Sequence, residues 1–223
     1  MKKSLLVSGV IILGLIGIVV AWWLVSPLFI SQSVDEGFPF ELPEESEIAD
    51  LSPDEAEQVL EDAMNVINEE FVENILPEQA EALEEKIMAV ATVMPDHPME
   101  EEMPEANTES EWVSVSQGQF QDADNLHQGS GTASIFQQGD QHVMRFEEFE
   151  VTNGPDLHVL LVENIAATNH EAIGNYVDLG SLKGNMGNQN YEIMADVDLA
   201  QYVGVMIYCV PFHVVFAIAP FGN

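Results

Sequence analysis

The sequence predicts an all-β C-terminal domain, an antiparallel β-sandwich or barrel, preceded by a transmembrane helix and an acidic helical stalk. Three observations predict this arrangement. A 21-residue apolar run opens the chain at Leu5–Val25, a strongly acidic block follows it, and from Trp112 onward short Val, Ile, Phe and Tyr segments alternate with Gly, Asn and Asp clusters.

The apolar run follows Met1, Lys2 and Lys3 and carries no charge. At about 1.5 Å per residue such a helix spans roughly 30 Å, the thickness of a hydrocarbon core. It exceeds the apolar core of about 7 to 15 residues found in a cleaved signal peptide, and no small-x-small cleavage site follows it. Residues 1–30 are therefore expected to be an uncleaved signal anchor, a single pass through the cell membrane. Lysines before the span and an acidic chain after it orient the N-terminus to the cytoplasm and the remainder outside. Trp22 and Trp23 fall at the outer interface, and Pro27 ends the helix.

The net charge of −34 concentrates in residues 31–111, where 26 acidic residues face Lys86 alone. An exterior this acidic repels phosphates and argues against nucleic acid as a partner. It also favours holding the C-terminal domain away from an anionic lipid surface. Within the stalk, Ser52 is placed to cap a helix, with Pro53 at its first position and Glu55 closing a capping box. Ala56, Val59, Leu60, Ala63, Ile67, Phe71 and Ile75 follow at three- and four-residue steps, predicting an amphipathic helix over about 52–76. Ala80, Leu83, Ile87, Val90 and Met94 predict a second over about 78–94. The two stripes are expected to pack on each other, as a spacer or a small oligomerisation surface. The proline- and charge-rich MPDHPMEEEMPEANTESE that follows predicts a disordered linker. His97 with Met94, Met99 and Met103 offers soft ligands of the kind that take cuprous ion, so copper handling is one reading of this stretch, against a plain solvated linker.

In residues 112–223, strands are expected at GTASIF, HVMRFEEFEV, LHVLLVE, NYVDLG, NYEIM, YVGVMIYCV and HVVFAIA. TNGPD, residues 152–156, has the composition of a tight turn in which Gly154 tolerates positive φ and Asp156 closes the turn through its side chain. The glycines of KGNMGNQN lack the strand–loop–helix order of a nucleotide-binding loop. No serine triad, nucleophile elbow or paired-carboxylate pattern marks a hydrolase, so an electron-transfer or binding domain is expected before a substrate-transforming enzyme.

Cys209 is the only cysteine, set in the apolar run VGVMIYCVPFHVVFAIAPF. Outside the cytoplasm, where disulfides persist, a lone thiol is packed and inert, bridged to another chain, bound to a prosthetic group or metal, or kept reactive. Negative surroundings raise a thiol pKa, and Arg145, Lys183 and His213 are the groups available to offset them. His213 stands four positions after Cys209. On a straight strand the two share a face about 13 Å apart, too far for one metal, unless Pro211 bends the chain.

QGQF, LHQGSGTASIF, RFEEFEVTNGPDLHVLL, LGSLKGNMGNQNYEI and VGVMIYCVPFHVVFAIA occur in the order and spacing of the DM-thirteen electron-transfer domain family, which this region resembles from about Ser116 to Phe221. The resemblance implies a β-rich extracellular domain with a redox role, whose active group is the single cysteine, as a bare thiol or as a haem ligand. Cys209 is the matching residue. Without a Cys-x-x-Cys-His attachment signature, any such haem is non-covalent. His127, inside LHQGSGTASIF, is a candidate second ligand or a structural hydrogen-bond partner. The reading is a membrane-anchored, extracytoplasmic domain that passes electrons to a redox partner protein through Cys209. The alternative is a cell-surface binding or adhesion module in which the cysteine is only core.

Overall fold

A computed structural model describes residues 42–43, 45–106, 111–167 and 170–222. The anchor expected at residues 1–30 lies outside the described residues; among the latter, no helix is long and apolar enough to cross a membrane. All of the described residues fall within one compact unit, Phe40–Asn223.

Among the described residues, ten strands form two five-stranded sheets. They are β1 (Pro98–Glu100), β2 (Val113–Gln119), β3 (Gln121–Asp122), β4 (Gly129–Gln138), β5 (Gln141–Val151), β6 (Leu157–Val162), β7 (Tyr176–Ser181), β8 (Met186–Ile193), β9 (Gly204–Cys209) and β10 (Val214–Pro220). One sheet runs β1-β8-β5-β4-β2 and the other β3-β10-β9-β6-β7. All pairings are antiparallel except β1 with β8, which is parallel. The fold is sandwich-like. Each strand-like segment of the sequence from GTASIF to HVVFAIA falls on a strand.

Between the sheets, Phe120, Phe146, Phe149 and Tyr191 make a chain of tilted and edge-on ring contacts, with centroids 4.8 to 5.4 Å apart. Such contacts add about 0.5–1.5 kcal/mol each beyond the burial itself. In the second sheet, β9 is buried along its whole length. Its alternate residues explain why: Met206 and Tyr208 point outward into a cluster with Leu160, Val162, Ala167 and Ile173, supplied by β6 and by the segment that follows it. Val205, Ile207 and Cys209 therefore face the sandwich interior. A strand covered on both faces reads as an unbroken apolar run, which is what VGVMIYCV is.

The helices lie before the sandwich: α1 (Glu45–Ile48), α2 (Pro53–Met64), α3 (Glu69–Asn74) and α4 (Pro77–Ala91), with a short α5 (His170–Ile173) inside the β region. Ser52 and Glu55 form the capping box that the sequence calls for, with Ser52 N–H donating to Glu55 Oε2 at 2.9 Å. The single helix expected over 52–76 is instead two. Asn68 Oδ1 accepts the Phe71 N–H at 2.9 Å and so starts a new helix, the preference of a short polar side chain for a cap over a helix interior. Ile48, Ala56 and Val90 bury the contact between α1, α2 and α4, so the stripes do pack on each other.

The helical layer is also clasped to the sandwich. His127, 3 % exposed, has its Nδ1 2.8 Å from Asp124 Oδ2 and its Nε2 3.3 Å from Glu84 Oε1 on α4. Its ring lies 4.3 Å from that of Phe216. Burial opposes the imidazolium, but the carboxylates of Glu84 and Asp124 outweigh it and hold the pKa above its ordinary value.

Residues 95–106, expected as a disordered linker, carry β1. Polar side chains of the KGNMGNQN stretch hold the segment. Asn185 accepts the His97 N–H at 2.6 Å and donates to Asp96 Oδ1 at 2.8 Å; Asn188 donates to Glu100 Oε2 at 3.0 Å. Lys183 Nζ meets both Glu101 carboxylate oxygens at 2.9 and 3.0 Å, and Arg145 Nη1 donates to the Glu101 carbonyl at 2.7 Å. Gly187, at φ +93°, leaves room for the strand: a Cβ there would strike the Met99 carbonyl.

Two outcomes follow. The His127 clasp stabilises fully below about pH 6.5, where the ring is charged folded or unfolded, and is lost as pH rises through the elevated folded value. The thermal midpoint should therefore fall more between about pH 6 and pH 9 in the native chain than in Glu84→Gln. Gly187→Ala should cost about 1–3 kcal/mol in urea unfolding and expose residues 95–105 to proteolysis.

Candidate functional site

Cys209 ends β9, paired with Val214 of β10 on one side and Leu157 of β6 on the other. It is 1 % exposed, and its Sγ donates a hydrogen bond to the Pro155 carbonyl at 3.1 Å. The TNGPD loop supplies that carbonyl. Thr152 fixes the start of the loop: its N–H donates to Gln128 O at 3.0 Å, and its Oγ1 accepts the Gln128 N–H at 3.0 Å. Gly154 is required for close approach rather than for positive φ, because a Cβ there would run into the Phe216 ring. The positive φ of the loop, 45°, belongs to Asp156. Asp156 ties the loop down through its main chain, its carbonyl accepting the Val210 N–H at 3.2 Å, rather than through the side-chain bond expected from the turn composition. His127, Phe216, Gly154, Pro155 and Cys209 thus form one packed series running from the helical clasp to the thiol.

Burial pushes the Cys209 thiol up to about 12; the Glu84 and Asp156 carboxylates add to the rise and the Phe212 backbone offsets only part of it. The group is an S–H at neutral pH, as its donation to Pro155 requires. The thiolate is the nucleophile, and in this conformation it is strongly disfavoured at neutral pH. Haem fits this seat poorly. The sulfur is committed to Pro155, and Cys209 lines none of five cavities of about 210–540 Å³ among the described residues. An axial sulfur has to border a slot wide enough for the macrocycle.

The chain turns back at residues 210–213 instead of running straight through, and β10 begins at Val214. His213 sits in that turn at φ 58°, its ring 6.3 Å from that of Tyr208 and stacked with it. Tyr208 points to the opposite face of the sheet from Cys209, so His213 and Cys209 do not meet on one metal. His127 is near the site, but as the clasp to Glu84. Met94 lines a cavity beside the 210–211 turn, whereas Met99 packs on Gly184 and His97 gives its main chain to Asn185. Met103 is half-buried after β1. Among the described residues no three His, Cys, Asp or Glu side chains are grouped to hold a metal ion.

The fold also assembles something the sequence reading overlooked. Ser181 Oγ lies 3.3 Å from His158 Nε2, and His158 Nδ1 lies 2.7 Å from Asp178 Oδ2. The order is that of a hydrolytic triad. However, Asp156 Oδ1 stands 3.4 Å from the same Nε2, so a second carboxylate competes with serine for the nitrogen that a general base has to present to it. The ring lies between two carboxylates, Asp178 on β7 and Asp156 in the TNGPD loop, and links β6 to both. Only the pairing of β6 with β7 could have revealed it, since 20 residues separate His158 from Asp178.

Comparison with curated proteins and with solved structures gives no match. A family model does match, the one described as Electron transfer DM13, over residues 119–221. That span is a little under half of the chain and runs from the last residue of β2 through β10, enclosing both the TNGPD loop and Cys209. It excludes α1–α4 and β1. The C-terminal β region of this chain, residues 119–221, is thus the part that matches the DM13 electron-transfer family.

Proposed function

We propose that the chain presents an electron-transfer domain outside the cell membrane, and that Cys209 is the group that changes oxidation state. The observation that carries the reading is the match of residues 119–221 to an electron-transfer family, in a region that holds the only thiol of the chain. Location rests on the sequence: the apolar run Leu5–Val25 behind two lysines, and the acidic chain beyond it, anchor the protein once with the domain outside.

The sealed, protonated thiol defines a resting state. Activity requires the helical layer or the TNGPD loop to move, which admits water and lowers the thiol pKa toward its ordinary value. The thiolate then attacks a disulfide of a partner protein. A bond forms between Cys209 Sγ and one partner sulfur, the partner S–S bond breaks, and the second partner sulfur leaves as a thiolate that takes up the proton. Cys209 is oxidised to a mixed disulfide and the partner is reduced. No prosthetic group enters this scheme.

A specific observation favours a second reading, a cell-surface binding module in which Cys209 is core packing: the thiol is 1 % exposed with its pKa pushed up to about 12. Thiol titration of the native full-length chain separates the two. The electron-transfer reading expects slow native labelling at neutral pH, accelerated about tenfold or more in His127→Gln and in Glu84→Gln, which weaken the clasp. Labelling only on global unfolding, at the same rate in all three proteins, leaves the packing reading standing.

A further inference from the structure

A cavity of about 540 Å³ opens between α2 and the two turns that enclose Cys209, residues 155–156 and 210–211. We propose that it binds a small organic cation, an apolar body ending in an ammonium group. The proposal concerns binding alone and does not rest on the redox role of Cys209.

Four residues of α2 face the cavity: Glu57, Leu60, Glu61 and Met64. Their spacing puts them on one side of a helix, so two apolar side chains and two carboxylates present together. Met94 and Val210 continue the apolar wall from the end of α4 and from the turn after β9. Leu60, Met64, Met94 and Val210 are all half-buried, leaving apolar surface that the fold has not covered with its own atoms. Asp156, whose Oδ1 also faces His158 Nε2 at 3.4 Å, adds a third carboxylate from the opposite wall, and among the described residues no lysine or arginine lines the space. Among the described residues Glu57 and Glu61 take part in no ion pair.

The volume lies within the roughly 300–1,000 Å³ of small-molecule sites, which combine apolar walls with a few convergent polar groups. An apolar ligand alone would satisfy the walls but leave the Glu57 and Glu61 carboxylates beside it without a counter-charge. An anion would be repelled by all three carboxylates. A cation with an apolar body meets both requirements. The occupant touches Pro155 and Val210, the acceptor of the thiol hydrogen bond and the residue after the thiol.

The test uses the full-length chain in zwitterionic nanodiscs, with methyl-labelled methionine read by NMR. Three probes share one body: phenylbutylammonium, phenylbutanol and phenylbutyrate. The proposal expects saturable shifts of the Met64 and Met94 methyls with the ammonium, at about tenfold or more lower concentration than with the butyrate, while Met144 and Met206, both fully buried, stay in place. Glu57→Gln with Glu61→Gln should bring the ammonium affinity toward that of the alcohol. Leu60→Trp, which fills the cavity without changing charge, should abolish the shifts and so separates this site from general attraction of cations to an acidic chain. Equal response to the butyrate, or shifts that persist in Leu60→Trp with Met144 and Met206 unmoved, overturns the proposal. So does an absence of shifts at Met64 and Met94 up to millimolar ammonium, as when lipid or another part of the chain fills the space.

Discussion

The hydrogen bond from the Cys209 thiol to the Pro155 carbonyl exists only while the end of the sandwich stays dry, and the surrounding structure is arranged to keep it so. β9 delivers the sulfur to the interior at its last residue, where a strand would ordinarily fray toward solvent. The TNGPD loop folds over it, fixed by Thr152 at one end and by Asp156 at the other. Phe216 fits against the loop because Gly154 has no side chain, and His127 lies against Phe216. The last member of the series, Glu84, belongs to the helical layer. A change in the helices is thereby mechanically connected to the thiol through packed atoms, beside the direct electrostatic effect of Glu84 on the sulfur.

Scarce positive charge is spent on architecture. In a chain of net charge −34, Arg145 and Lys183 both grip Glu101 and so hold the β1 segment on the sheet edge. Neither is left to stabilise a thiolate, which is consistent with a cysteine kept protonated at rest. The same edge shows how the DM13-like stretch KGNMGNQN works in this protein: its asparagines supply side-chain bonds to a strand donated from outside the family region, and its glycines let that strand come close. Much of the β1 grip is thus polar and solvent-accessible, and it is weaker per contact than the aromatic core it adjoins.

Periodicity made much of the sandwich legible. The apolar runs around β6 and β9 were readable because both faces are covered, and β4, β5 and β10 because they are long and rich in β-branched and aromatic residues. The capping box at Ser52 was readable because it is local. What escaped was non-local. Pro98–Glu100 has no strand pattern, and its partner on β8 lies 88 positions later. Glu84 reads as one more solvated carboxylate until α4 is seen to meet a buried histidine. The break at Asn68 carried a signal, a cap-forming residue inside an apolar stripe, that the periodicity outweighed. For the site, sequence singled out Cys209 and offered His127 as a second ligand or a structural hydrogen-bond partner, without revealing that it lies close to the thiol loop or that Glu84 faces it. It could not foresee that the thiol points inward, because that depends on which face of β9 the turn at 210–213 closes.

A cysteine this well sealed is either a core residue or a redox group held in reserve, and its chemical reversibility decides. The full-length chain is equilibrated under native conditions across a series of glutathione redox potentials, and intact mass is read at each. The account predicts a reversible gain of one glutathione on Cys209 as the buffer becomes oxidising, lost again on reduction, with the fold intact. A chain that stays unmodified at every potential until denaturant unfolds it contradicts the account.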